Sequence, residues 1–95
     1  MAAYVIVDIE VTDPAGYEEY KSLAAPTVAA YGGRYLVRGG PVEVLEGAWE
    51  THRMVVLEFP SQVQARAWWF SPEYGAARAV RQRTARTQMI VLEGV

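Results

Sequence analysis

Residues 32–60, GGRYLVRGGPVEVLEGAWETHRMVVLEFP, decide how the rest of the chain is arranged. Two runs rich in β-branched and aromatic residues, Arg34–Glu46 and Thr51–Phe59, flank the short segment Gly47-Ala48-Trp49-Glu50, which forces an antiparallel return. The expected unit is a hairpin. Gly39 and Gly40 lack a Cβ and Pro41 cannot donate to a ladder, so Gly39-Gly40-Pro41 is either a loop between two short strands or a bulge in one long strand. The bulged, bent strand is the expectation.

Upstream, Val5, Val7, Ile9 and Val11 alternate with Ile6, Asp8 and Glu10, a first strand whose apolar face should meet helices. Asp13 before Pro14 reads as an N-cap followed by a first-turn proline. Tyr17, Tyr20, Ala24, Val28 and Tyr31 then repeat at helical spacing. Pro26 is expected to kink that helix or split it, and Gly32-Gly33 to end it. Downstream, Ser61 with Gln64 forms a capping-box pattern ahead of a mostly apolar helix through Trp68 and Trp69. Ser71-Pro72 starts a third helix, expected from Pro72 to about Arg83, and residues 87–93, TQMIVLE, are the last strand.

The order is strand, helix, strand, strand, helix pair, strand. It predicts one α+β domain over residues 1–95: a ferredoxin-like βαββαβ fold with a four-stranded antiparallel sheet and the helices on one face. The other face is left open. Strand parity assigns Ile6, Asp8, Glu10, Met54, Val56 and Glu58 to it, together with Met89 and Val91, a mixture suited to sheet-on-sheet homodimerisation.

Composition narrows the functional classes. The chain has 95 residues, so little surface is spare for stability, and a dimer would hide one more apolar face. Cysteine is absent and His52 is the only histidine, which argues against disulfides, thiolate chemistry and a metal centre built by one chain. A net charge of -2 gives no general attraction to nucleic acid or anionic membrane, and neither is expected as a partner. No apolar stretch approaches the ~18 residues of a span, and a soluble cytoplasmic protein is expected. Charge is uneven: residues 1–50 hold eight acids and three bases, residues 51–95 three acids and six bases. The asymmetry suits self-association or an anionic ligand, and Arg78, Arg81, Arg83 and Arg86 could bind an anion or nucleic acid, but a solvated face is the expected reading of the four.

Three blocks, GGRYLVRGGPVEVLEG, RMVVLEFPS and AWWFSPEYGAAR, resemble the bacterial family known as domain of unknown function 1330 over Tyr17 to Arg83. The resemblance implies a dimeric α+β barrel, two ferredoxin-like subunits closing their sheets face to face. That superfamily includes cofactor-free monooxygenases, haem-degrading oxygenases and muconolactone isomerases. Trp69-Phe70 stands where many members carry a tyrosine, which changes one wall of a pocket.

The candidate residues follow from chemistry. Arg38 beside Gly39 could clamp a carboxylate or phosphate, unless it pairs with Glu43 or Glu46. Trp68 and Tyr74 could wall an aromatic pocket, though helical spacing also suits plain core. His52 is the one imidazole available for proton transfer, but it lies in a turn. The expectation is a homodimeric small-molecule protein needing no cofactor, either an oxygenase or isomerase or a non-catalytic binding or assembly module, taking a small aromatic or anionic ligand between sheet and helices.

Overall fold

Period-two alternation places β1, Ala3–Val11, at the centre of the sheet. In the computed structural model, which describes residues 1–95, six further elements follow. They are α1 (Pro14–Ala30), β2 (Arg34–Arg38), β3 (Arg53–Phe59), α2 (Gln62–Trp69), α3 (Pro72–Thr84) and β4 (Ala85–Glu93). The sheet order is β2-β3-β1-β4 with every pair antiparallel. This is the ferredoxin-like α+β fold, with all three helices on one face. No helix is long and apolar enough to cross a membrane.

The core forms where Val5, Val7, Ile9, Val55, Leu57 and Phe59 meet Tyr17, Ala24, Val28, Ala65, Trp68, Tyr74 and Ala77 of the helices. Local signals set the element boundaries. Asp13 Oδ1 accepts from Gly16 N–H at 3.2 Å, Ser61 Oγ from Gln64 N–H at 3.1 Å, and Ser71 Oγ from Tyr74 N–H at 3.1 Å. Helix α1 ends in a Schellman motif: Gly32, at φ +79°, donates to Ala29 O at 3.0 Å, and Gly33 donates to Val28 O at 2.9 Å.

Four expectations need correction. The strand expected over Arg34–Glu46 stops at Arg38: Gly39, at φ +73°, donates to Met54 O at 2.8 Å, and residues 40–52 leave the sheet. The bulge lies instead between Tyr35 and Val37, where Leu36 is the extra residue. Pro26 does not split α1, which runs unbroken to Ala30; a proline removes one ladder hydrogen bond, and packing of the remaining stripe holds the helix together. The last strand begins at Ala85, and its parity is opposite to the one assigned: Ile6 pairs with Ile90 and Asp8 with Gln88, so Gln88, Ile90 and Leu92 take the open face. Met89 and Val91 pack towards the helices.

Candidate functional site

Helix α3 buries Tyr74, Ala77, Arg81 and Thr84, a stripe at helical spacing that carries a guanidinium into the domain. Arg81 is 5% exposed. Its Nε donates to Tyr74 Oη at 3.3 Å, and none of the ion pairs in the chain includes it. Tyr74 Oη is 2.9 Å from Tyr20 Oη. Trp68 lies against the Tyr74 ring, with centroids 4.1 Å apart, and its Nε1 donates to Thr27 Oγ1 at 3.1 Å. Both rings are therefore locked in place by packing and hydrogen bonds.

Between α2, α3 and β4 is a cleft of about 380 Å³, in the range that accommodates a small organic ligand. Arg81, Trp68, Trp69, Phe70, Thr87 and Met89 contribute to its walls. The Thr87 hydroxyl is buried without a hydrogen-bond partner. Tyr20 Oη, next to Tyr74, is pushed well above the ordinary phenol range: burial is the main cause, Tyr74 adds to it, and Arg81 opposes it in part. This phenol stays protonated. Only Arg66 and Arg81 carry ionisable side chains among the lining residues, so the cleft can hold a negative charge but contains no general base.

Arg38 and Gly39 lie elsewhere on the helix side of the sheet. The Arg38 guanidinium stacks over the Tyr35 ring at 4.3 Å rather than pairing with Glu43 or Glu46. Gly39 is favoured by its turn, at φ +73°, and the Arg53 guanidinium, the flexible end of its side chain, fills the space beside it. Arg53 Nε is buried without a partner. With Glu18, Lys21 and Ser22 these arginines edge an open groove of about 360 Å³. Behind it, the space among Tyr17, Tyr20, Tyr35 and Trp68 is only about 20 Å³, room for one water. Burial raises Tyr17 and Tyr35, opposed by Arg53 and Arg38 respectively.

His52 is on the opposite face. Its N–H donates to Asp8 Oδ1 at 3.1 Å, its Nδ1 lies 3.0 Å from the same oxygen, and its Nε2 is 3.9 Å from Glu10 Oε2. Asp8 and Glu10 alternate with the buried Val7 and Ile9, so the sheet separates His52 from the helix-side pocket. Thus the structure brings Trp68 and Tyr74 together, sets Arg38 and Gly39 at another opening whose narrow inner space Arg38 and Trp68 both line, and removes His52 from both. No group of three or more histidine or acidic side chains converges to hold a metal ion. Thr87 and Arg53 escaped the sequence reading, and the solvated face expected of Arg81 is corrected by its burial. The stripe Tyr74, Ala77, Arg81 was the one signal that could have found Arg81.

No curated protein matches the chain in sequence. Solved structures do match in fold. A protein of unknown function from Rhodopseudomonas palustris superposes with TM-score 0.79 at 18% identity, covering 99% of this chain and 82% of the other. A protein from Jannaschia, described as a dimeric ferredoxin-like protein of unknown function, gives 0.68 at 16% identity, covering 99% and 100%. SnoaB from Streptomyces nogalater, described as a cofactor-independent oxygenase, gives 0.64 at 12% identity, covering 99% and 93%. The family profile described as a domain of unknown function (DUF1330) matches residues 2–95, and the chain belongs to that family.

Proposed function

We propose that this chain is a homodimeric small-molecule-binding protein whose ligand is a small organic anion held in the α2–α3–β4 cleft. The observation that carries the reading is Arg81, a buried guanidinium without a carboxylate partner, lining a cleft large enough for a ligand. A buried charge is normally paired, and a carboxylate or enolate entering the cleft would supply the missing partner. Trp68 and Trp69 would hold a flat apolar body, and Tyr74 would orient the guanidinium. Arg38 and Gly39 serve a lesser anion contact at their own groove. His52 acts outside the cleft, where any proton transfer would depend on the open face.

Self-association through the open sheet face completes the reading. It is supported by half-exposed Ile6, Met54 and Val56 beside Ile90 and Leu92, which are 56% and 41% exposed, and by fold neighbours described as dimeric. Cofactor-independent oxygenase chemistry has a structural neighbour in its favour. Against it, the cleft has no base, which favours binding without turnover.

The test is a thermal-shift screen of small aromatic and aliphatic carboxylates, with native mass spectrometry for subunit count and affinity. A dimer stabilised by carboxylates is expected, with Arg81→Met weakening binding about 10- to 100-fold and Arg38→Met much less. Ligand binding that is indifferent to Arg81→Met would refute the site. Oxygen uptake in the presence of a stabilising ligand would decide for the oxygenase reading.

A further inference from the structure

Two guanidinium groups on the helix side of the sheet have no anion beside them. Arg38 ends β2 and Arg53 begins β3, and the chain turns away between them at Gly39. None of the ion pairs in the chain includes either residue. Arg53 is half-buried, and its Nε is withdrawn from water without a partner. Each side chain is instead held near a ring, Arg38 over Tyr35 at 4.3 Å and Arg53 over Tyr17 at 5.9 Å. Burial keeps both phenols above the ordinary range, so neither supplies a negative charge.

Helix α1 brings a third cation to the same place. Lys21 lines the groove with Arg38 and Arg53, and the one carboxylate among the lining residues, Glu18, is already 2.9 Å from Lys21 Nζ. Three cations thus share one anion in a groove of about 360 Å³, whose remaining lining residue is Ser22. Cations gathered at one opening repel each other, and guanidinium groups stacked on rings would lose those contacts by swinging apart. The surplus is two positive charges.

The form of the groove limits what can neutralise that surplus. No lining residue is apolar, and the space behind it is only about 20 Å³, so the groove admits the charged end of a ligand and excludes a ring. Its donors belong to three elements, α1, β2 and β3, and approach from different sides. A planar carboxylate offers two oxygens and a single charge. A phosphoryl group offers three terminal oxygens and about two charges at neutral pH, which suits both the surplus and the spread of the donors.

We propose that Arg38, Arg53 and Lys21 bind the phosphoryl group of a small phosphate or phosphate ester, the rest of an ester extending into solvent. This deepens the lesser anion contact given to Arg38 above, and it depends neither on the Arg81 cleft nor on self-association. The two openings then sort anions. A flat carboxylate enters the cleft walled by tryptophan, and a phosphoryl group enters the all-polar groove.

The test is isothermal titration with inorganic phosphate and with glycerol 2-phosphate near neutral pH, at constant ionic strength set by chloride. Inorganic phosphate is expected to bind, and Arg38→Met and Arg53→Met are each expected to weaken it about tenfold or more. Arg34→Met, which removes an equal charge at the other end of β2, should leave the affinity unchanged. Arg38 is exposed, so Arg38→Met keeps the test open should Arg53→Met fail to fold. Glycerol 2-phosphate binding as well as phosphate supports an ester as the occupant, and binding of phosphate alone supports the free ion. Absence of phosphate binding, affinity undiminished in Arg38→Met, or an equal loss in Arg34→Met overturns the proposal. Phosphate binding lost in Arg81→Met but kept in Arg38→Met and Arg53→Met puts the anion in the cleft, overturning this proposal and leaving the cleft reading intact. Phosphate binding that needs Arg38 and Arg53, beside carboxylate binding indifferent to Arg81→Met, upholds this proposal and refutes the cleft reading.

Discussion

A guanidinium withdrawn from water, with no carboxylate within reach, loses hydration that nothing inside the chain restores. Arg81 is close to that position: it is 5% exposed, its Nε is bonded to Tyr74 Oη, and its remaining nitrogens depend on the water that the cleft admits. Stability and binding should therefore respond to it in opposite directions. Replacing the charge by an apolar side chain of similar length, Arg81→Met, is expected to be neutral or stabilising by about 1–4 kcal/mol, while Tyr74 Oη keeps its partner in Tyr20. Chemical denaturation of the ligand-free protein checks this, and a loss of more than about 1 kcal/mol would mean that Arg81 is structural. At this scale the sequence was only partly readable. The aromatic content of the pocket could be seen in Trp68 and Tyr74, because large apolar residues at helical spacing must be buried. The charge could not, because Arg81 sits in a run with Arg78, Arg83 and Arg86 that looks uniformly solvated until the face of α3 is known.

Elements were more legible than residues, because their ends are written in local chemistry. Asp13, Ser61 and Ser71 cap the three helices as their side chains require, and Gly32-Gly33 closes the first. Gly33 illustrates how tightly the α1–β2 turn is held against the sheet. A Cβ there would lie 2.6 Å from Phe59 Cε1 and 2.9 Å from Val28 Cγ1, and Phe59 is fully buried. Neither neighbour can move without opening the core. Gly33→Ala should cost about 1–3 kcal/mol and lower Tm by roughly 5 °C or more. Gly40→Ala, with nothing within 4 Å of the added carbon, should be neutral or slightly stabilising, and the pair compared by thermal melting separates packing from backbone entropy. The element that could not be read was the segment after Arg38. Its alternation is that of a strand, which is why a bent strand was expected, but alternation specifies a strand's faces and says nothing about whether its backbone finds a hydrogen-bonding partner.

The whole molecule has two unlike faces, and the assignment of β4 to them depended on a register that sequence parity alone does not set. Moving the start of β4 to Ala85 leaves each side chain where the antiparallel pairing with β1 puts it: Met89 opposite Val7 on the helix side, Ile90 opposite Ile6 on the open side. The helix side then concentrates phenols, and this gives the fold a pH signature. Tyr17, Tyr20 and Tyr35 are all raised, chiefly by burial. In the unfolded chain these groups ionise near the ordinary value of about 10, whereas the folded chain keeps their protons to higher pH. Above that value the unfolded state binds fewer protons than the folded one, so unfolding becomes more favourable as pH rises. The stability they protect is fully present below about pH 10 and is lost progressively above it. Each phenol contributes up to about 1.4 kcal/mol per pH unit to that slope. Tyr20→Phe removes one ionisation and should flatten the decline by about that amount, even though it also removes the hydrogen bond to Tyr74 and lowers stability at every pH. Urea unfolding of wild type and variant at a series of pH values from 8 to about 11.5 measures the two slopes. Parallel curves would show that Tyr20 ionises as readily in the folded chain as in the unfolded one, contrary to its burial between α1 and α3.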